Sequence, residues 1–224
     1  MTSKPSPSAR GSVRVAKRPA TAAAASRTVA DGDAAFTDGR FKRSVVTRKK
    51  IVDALSMLIR DGFLSPTAEQ VASRASVGLR TVFRHFEDME TLYREIARDL
   101  DKIVDPVVHL SLSAVHWKER LFESIRIRGD LYDRIAALHL GSQALRHQSH
   151  YLNTQLLQGA TRQRRLLVRQ LPPVVLEDKT ALESLDVATS IDIWIRLRRE
   201  QGLSARMALG VVQRLVGALI AGFD

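Results

Sequence analysis

The segment "ASVGLRTVFRHFEDMETLYREI", Ala75 to Ile96, places Arg80, Thr81, Arg84 and His85 among Phe83, Phe86 and Tyr93, in a chain only 5% aromatic. Its acids are confined to the C-terminal half. A guanidinium can fork onto a guanine edge or hold a phosphate, a threonine can meet a thymine methyl or a phosphate, and the sequence leaves these alternatives open. The chemistry on offer is polyanion recognition. Catalysis finds no support, because no nucleophile elbow, Gly-rich phosphate loop or paired-carboxylate motif appears. With no Cys among 224 residues, disulfides, thiolate metal sites and cysteine nucleophiles are excluded. His147 and His150 are three apart, but no carboxylate stands near them, so neither a metal nor any other cofactor is expected.

These side chains need a rigid platform, and helical periodicity supplies one. Ile51, Ala54, Leu55, Leu58 and Ile59 fall on one face of a helix expected to start near Ser44, with Gly62 of "DGF" as its left-handed cap. Thr67 and Gln70 form a capping box for a second, short helix. After "ASVG" a third runs from Gly78 to about His85. Asp88 caps a fourth, long helix with the apolar stripe Met89, Leu92, Tyr93, Ile96, Ala97, Leu100, Ile103 and Val104, which Pro106 stops or kinks. Strand signals are absent. Two short helices joined by a tight turn, the second basic, make a helix-turn-helix. Its second helix is the one a major groove admits, and the open amides after Gly78 attract phosphate. Phe86 should face inward and Phe83 should lie at the boundary with DNA.

At these residues the chain resembles the tetracycline-repressor (TetR) family of transcriptional regulators. The matching elements are Arg48, Ile51 and Ala54; Thr67, Val71 and Ala72; then "ASVG", "TVFRHF" and "EDMETL", over about residues 48 to 96. The resemblance implies an all-α fold: an N-terminal helix-turn-helix three-helix domain joined by a long helix to a C-terminal helical ligand-binding and dimerisation domain. It implies DNA contacts at Arg48, Thr67, Gly78, Leu79, Arg80, Thr81, Phe83, Arg84 and His85. Four positions depart from the family pattern. Phe83 stands for the usual Tyr and Met89 for the usual Lys, both phosphate contacts. Ser76 replaces the turn Gly, and Gly78 replaces the capping Ser. Arg40, Lys42 and Arg43 are the charge available to compensate.

Residues 105 to 224 should supply about five more helices, "HWKERLFESIRI", "DLYDRIAALHLGSQALRHQ", "HYLNTQLLQGATRQRRLLVRQL", "DKTALESLDVATSIDIWIRLRREQG" and "SARMALGVVQRLVGALIAGF". On the second, His139 and Gln143 share a face. They are either a polar pair inside a ligand cavity or a satisfied core histidine with a boundary glutamine. The last two helices carry more apolar surface than one core needs, with Gly210, Gly217 and Ala221 where a partner helix could approach. The family resemblance implies that they pair with their copies in a dimer.

The formal charge of +11 points to a polyanionic partner. More than half of it lies in residues 1–43, with nine Lys or Arg against three Asp. That segment lacks apolar periodicity and reads as disordered, either a basic arm that follows phosphates or a solvated tail. Its acid-free first 30 residues also resemble a transit peptide, although no apolar core marks a secretory signal. No run approaches a membrane span of about 18 residues.

The domains implied are a basic arm at 1–43, a helix-turn-helix at 44–92 and an effector-binding, dimerising domain at 93–224. The function implied is a cytoplasmic, homodimeric repressor that a small molecule releases from an inverted-repeat operator on double-stranded DNA. The alternative is a helical sensor or scaffold of the same fold that has lost specific DNA binding.

Overall fold

The computed structural model describes residues 30–223. Residues 1–29 lie outside that range, and with them most of the basic segment and its arm, tail and transit-peptide readings. By its contacts the chain divides at Arg43. Helix α1, Ala30–Arg60, starts well before Ser44. Apolar periodicity begins only near Ser44, but helix needs no such pattern where Ala30, Ala34 and Ala35 favour it and no proline intervenes.

Within 44–224 follow α2 (Ala68–Arg74), α3 (Leu79–His85), α4 (Met89–Val108), α5 (Trp117–Leu145), α6 (His150–Val168), α7 (Pro173–Glu177), α8 (Lys179–Ala188), α9 (Ile191–Ile195) and α10 (Ala205–Leu219). A π-helical turn, Arg196–Glu200, extends α9. The described residues contain no strand, and the expected all-α class with its N-terminal helix-turn-helix is the class found.

Local chemistry sets the boundaries. Gly62 takes φ +97°, and Phe63 N donates to Leu58 O to close α1. Thr67 and Gln70 exchange both bonds of the capping box, and Asp88 accepts from Thr91 N at 2.7 Å to start α4. Pro106 does not stop α4; it sits inside the last turn, and the helix continues to Val108. Two expectations about helix breaks fail. Gly129 does not separate two helices, because α5 runs unbroken through it. The segment expected as one helix from Asp178 breaks at Thr189 and Ser190: Thr189 Oγ1 donates back to Leu185 O, and Ser190 Oγ accepts from Ile193 N to start α9 afresh.

Two cores result. The first gathers Ile51, Leu55, Val71, Val82, Phe86 and Leu92 from α1 to α4. The second gathers Leu121, Leu167, Leu185, Trp194, Val212 and Val216 from α5 to α10. Phe86 is 1% exposed, and burying such a side chain stabilises the fold by about 1.5–3 kcal/mol.

Candidate nucleic-acid interface and the cavity behind it

Helix α3 is anchored from within and open outside. Val82 and Phe86 bury into the first core, whereas Leu79 and Phe83 remain 37% and 48% exposed. Arg80 and Arg84 are also exposed, and Thr81 and His85 are half-buried. The spacing of four stacks Leu79 over Phe83 and Arg80 over Arg84, giving an apolar column beside a cationic one. Among the described residues neither Arg80 nor Arg84 has a hydrogen-bond or ion-pair partner. At about 1.5 Å per residue, the seven residues of α3 span roughly 10 Å, a length that a major groove accepts. Gly78 caps α3 in extended backbone with no side-chain bond; Thr81 N donates to Gly78 O at 2.8 Å, which leaves the Leu79 and Arg80 amides without a cap. Burial pushes the His85 imidazole below its ordinary pKa, and the charges of Arg84 and Arg48 add to the shift.

The turn before α3 carries strain. Ser76 takes φ +54°, the left-handed region where an L side chain crowds its own carbonyl. Thr67 Oγ1 accepts from Gln70 N, and its hydroxyl donates to the Glu69 carboxylate.

Arg48 sits differently from the rest of the expected contact set. Its guanidinium donates to His85 O, pairs with Glu95 at 2.7 Å and lies 4.2 Å from the centre of the Phe86 ring. It ties α1 to the end of α3 and to α4, which makes it a positioning residue for α3. Met89, the other departure from the family pattern, packs half-buried against the first core.

Behind this head lies a cavity of about 610 Å³. Ile59 of α1 and Ile96, Leu100 and Val104 of α4 form one wall; α5, α6 and the α8–α9 region form the others. His139 and Gln143 both line it. His139 Nε2 lies 3.2 Å from Asp192 Oδ1, and Gln143 Nε2 donates to the same oxygen at 3.4 Å. Arg146 extends the network, donating to Gln143 Oε1 and to Asn153 Oδ1. The bond from His139 holds the Asp192 carboxyl below its usual pKa, against the effect of burial.

Sequence reasoning missed Asp192 and Arg128, which line the same cavity. Arg128 had a legible signal: it falls in register with Leu121, Ile125 and Tyr132, on the stripe of α5 that faces inward. Among the described residues no three His, Asp or Glu form a metal-holding group. No helix among them is long and apolar enough to cross a membrane.

Helix α4 joins head and cavity. Its first turn follows α3 within three residues, and its middle lines the cavity. Glu90 in that first turn accepts from Ser149 Oγ and from Tyr151 N at the start of α6. On α10, Met207, Gly210 and Leu215 are exposed. The sequence singled out Gly217 as a site of partner approach, but a Cβ there would touch Phe122 of its own chain at 3.9 Å, whereas at Gly210 nothing lies within 4 Å.

These elements define an all-helical protein with an N-terminal helix-turn-helix and a helical domain enclosing a cavity. It has the fold of the TetR-family transcriptional regulators. A protein from Syntrophomonas wolfei assigned to that family superposes with a TM-score of 0.57 at 16% identity, over 80% of this chain and 96% of its own. A transcriptional regulator from Rhodococcus sp. Rha1 superposes with a TM-score of 0.60, also at 16% identity, over 78% of this chain and 96% of its own. No protein-family model and no curated protein matches the sequence.

Proposed function

We propose that the protein is a sequence-specific, DNA-binding transcriptional regulator, a repressor released from its operator by a small molecule in the cavity. The observation that carries this reading is the solvent-open pair of columns on α3, Arg80 over Arg84 beside Leu79 over Phe83, on a helix fixed from beneath by Val82 and Phe86. Arg80, near the helix start, reads a base. Arg84, His85, Thr67 and the amides after Gly78 hold phosphate, with Thr81 on a phosphate or a thymine methyl. Two copies act together, joined through residues 178–223, and the protein works in the cytoplasm. The basic segment 1–43 serves as an arm that follows phosphates, 44–92 is the DNA-binding head, and the domain 93–224 senses and dimerises.

Release follows from α4. A molecule packed against Ile96, Leu100 and Val104, and held by the His139–Gln143–Asp192 network, favours whichever position of α4 fits it better, and α3 moves with its first turn. The second reading, a scaffold of this fold without specific DNA binding, rests on Phe83, which offers no hydroxyl to a phosphate, and on Met89, which packs inward.

Selection of bound sites from random duplexes separates the two. An inverted repeat with half-sites about 34–36 Å apart, or a multiple, is expected. Arg80→Ala should relax preference at one base position at a cost of about 1–3 kcal/mol, while Arg84→Ala should weaken all sequences alike. Enrichment of no palindrome, with one affinity for every sequence, overturns the regulator and leaves the scaffold.

A further inference from the structure

We infer that the cavity takes an apolar organic acid whose carboxylate seats on Arg128; this deepens the reading of the cavity as an effector site and rests on it. Arg128 is 5% exposed, and its Nε and both terminal nitrogens have no hydrogen-bond partner. A guanidinium cannot shed its proton, so the interior holds a full, uncompensated positive charge, and an unpaired ion of this kind is strongly disfavoured. The Tyr132 hydroxyl reaches the guanidinium, but it is a neutral group that brings no charge to offset that of Arg128, and its proton donates toward Gln163 Oε1 and Thr189 O, each at 3.2 Å.

The acids around the cavity are already matched. Asp192 is held by His139 and Gln143, Asp186 by Gln163 and Arg164, and Asp101 by Arg162 at 3.7 Å. Asp133, one turn along α5 from Gly129, accepts from Trp194 Nε1 and Arg198. A second void that Arg128 lines measures about 10 Å³, room for a single water, which cannot satisfy five N–H groups.

The missing partner is therefore an anion supplied from the cavity, which Arg128 lines. A carboxylate suits it better than a phosphate. One planar fork matches one planar, singly charged group bidentately, whereas a dianion would leave net negative charge buried. The body of the molecule must be apolar, since Ile96, Leu100, Val104, Leu131, Ile135 and Leu156 supply much of the remaining wall. His139 lies about 16 Å farther along α5, so the far end of the cavity can take a weakly polar tail.

Calorimetric titration of the full chain with decanoate and with 6-phenylhexanoate, each against its own primary amide, tests this directly. The acids should bind about ten- to a hundredfold more tightly than the amides, the ratio expected of charge-assisted hydrogen bonds. R128M should erase that ratio while retaining the amide's affinity, and R128K should keep part of it. The result that overturns the inference is equal binding of acid and amide, or no binding of either acid at millimolar concentration, because Arg128 is then hydrated or simply tolerated. If R128M does not fold, the acid-to-amide ratio in the unaltered chain decides alone. Duplex affinity measured with and without bound acid is a separate readout. An acid that seats on Arg128 yet leaves DNA binding unchanged removes the regulatory coupling and keeps the ligand class.

Discussion

Replacing Gly129 with Ala tests whether the second core is packed as tightly as its geometry implies. In mid-helix the exchange ordinarily stabilises by about 1 kcal/mol, since alanine loses less backbone entropy than glycine. Here the new Cβ would stand 2.7 Å from the indole edge of Trp194, with two further ring atoms at 3.0 and 3.2 Å. Trp194 is 4% exposed and its Nε1 donates to Asp133 at 2.9 Å, so the ring can give way only by disturbing the core or releasing that bond. Overpacking costs about 1–3 kcal/mol and a lost hydrogen bond about 1 kcal/mol, so the penalty outweighs the propensity gain. A net loss of about 1–2 kcal/mol is expected, with Tm falling about 2–4 °C for each. Gly159→Ala is the control, because nothing lies within 4 Å of a Cβ there, and it should raise Tm. Scanning calorimetry with near-ultraviolet circular dichroism reads both variants. Gly129→Ala at or above the stability of the unaltered chain refutes the argument and means the Trp194 ring yields freely.

Ser76→Gly should stabilise by about 0.5–1 kcal/mol, because glycine relieves the left-handed strain at φ +54° and gives part of the gain back as entropy; an unchanged urea midpoint would count against strain in the turn. His85 has its pKa depressed in the folded chain, so its contribution is intact above the ordinary value of 6.5 and stability is lost as pH falls through the lower folded value. A phosphate beside it would reverse that depression, so duplex affinity should rise, with proton uptake, as pH drops below about 6.5. His85→Gln should abolish this pH dependence; a wild-type affinity flat across that range places His85 off the backbone. Met207→Asp with Gly210→Arg should give monomers in sedimentation equilibrium through loss of the α10 face, and a persistent dimer would move the interface elsewhere.

Boundaries governed by neighbouring residues were legible in the sequence. Gly62, the Thr67–Gln70 box and the Asp88 cap each act within a few residues, and each stands where the local pattern put it. The inward Phe86 and outward Phe83 followed from the helix-turn-helix arrangement, not from their spacing of three, which would put both on one face. Features that depend on a distant partner were not. Gly129 reads as a helix break until Trp194, far along the chain, is seen to occupy the space a side chain would take. Arg48 looks like a free cation until Glu95 and the His85 carbonyl close around it. That His139 and Gln143 share a face was legible, but the sequence left open whether that face meets a cavity or a core, and their bridge through Asp192 depends on the break at Thr189 and Ser190 that lets α9 begin where it does.

Helix α4 has one further consequence, for how such a protein can diverge. Because the same twenty residues carry the end of the head and one wall of the cavity, a change of side-chain volume at Ile96 or Leu100 is felt on both sides at once. Leu156 and Gln155 on α6 border the cavity without belonging to the head's core, so the chamber can be reshaped there while the head keeps its packing. Descendants of this sequence should therefore vary most freely along the α6 wall and be conservative along α4, with drift in α4 accompanied by compensating exchange in α1 or α3.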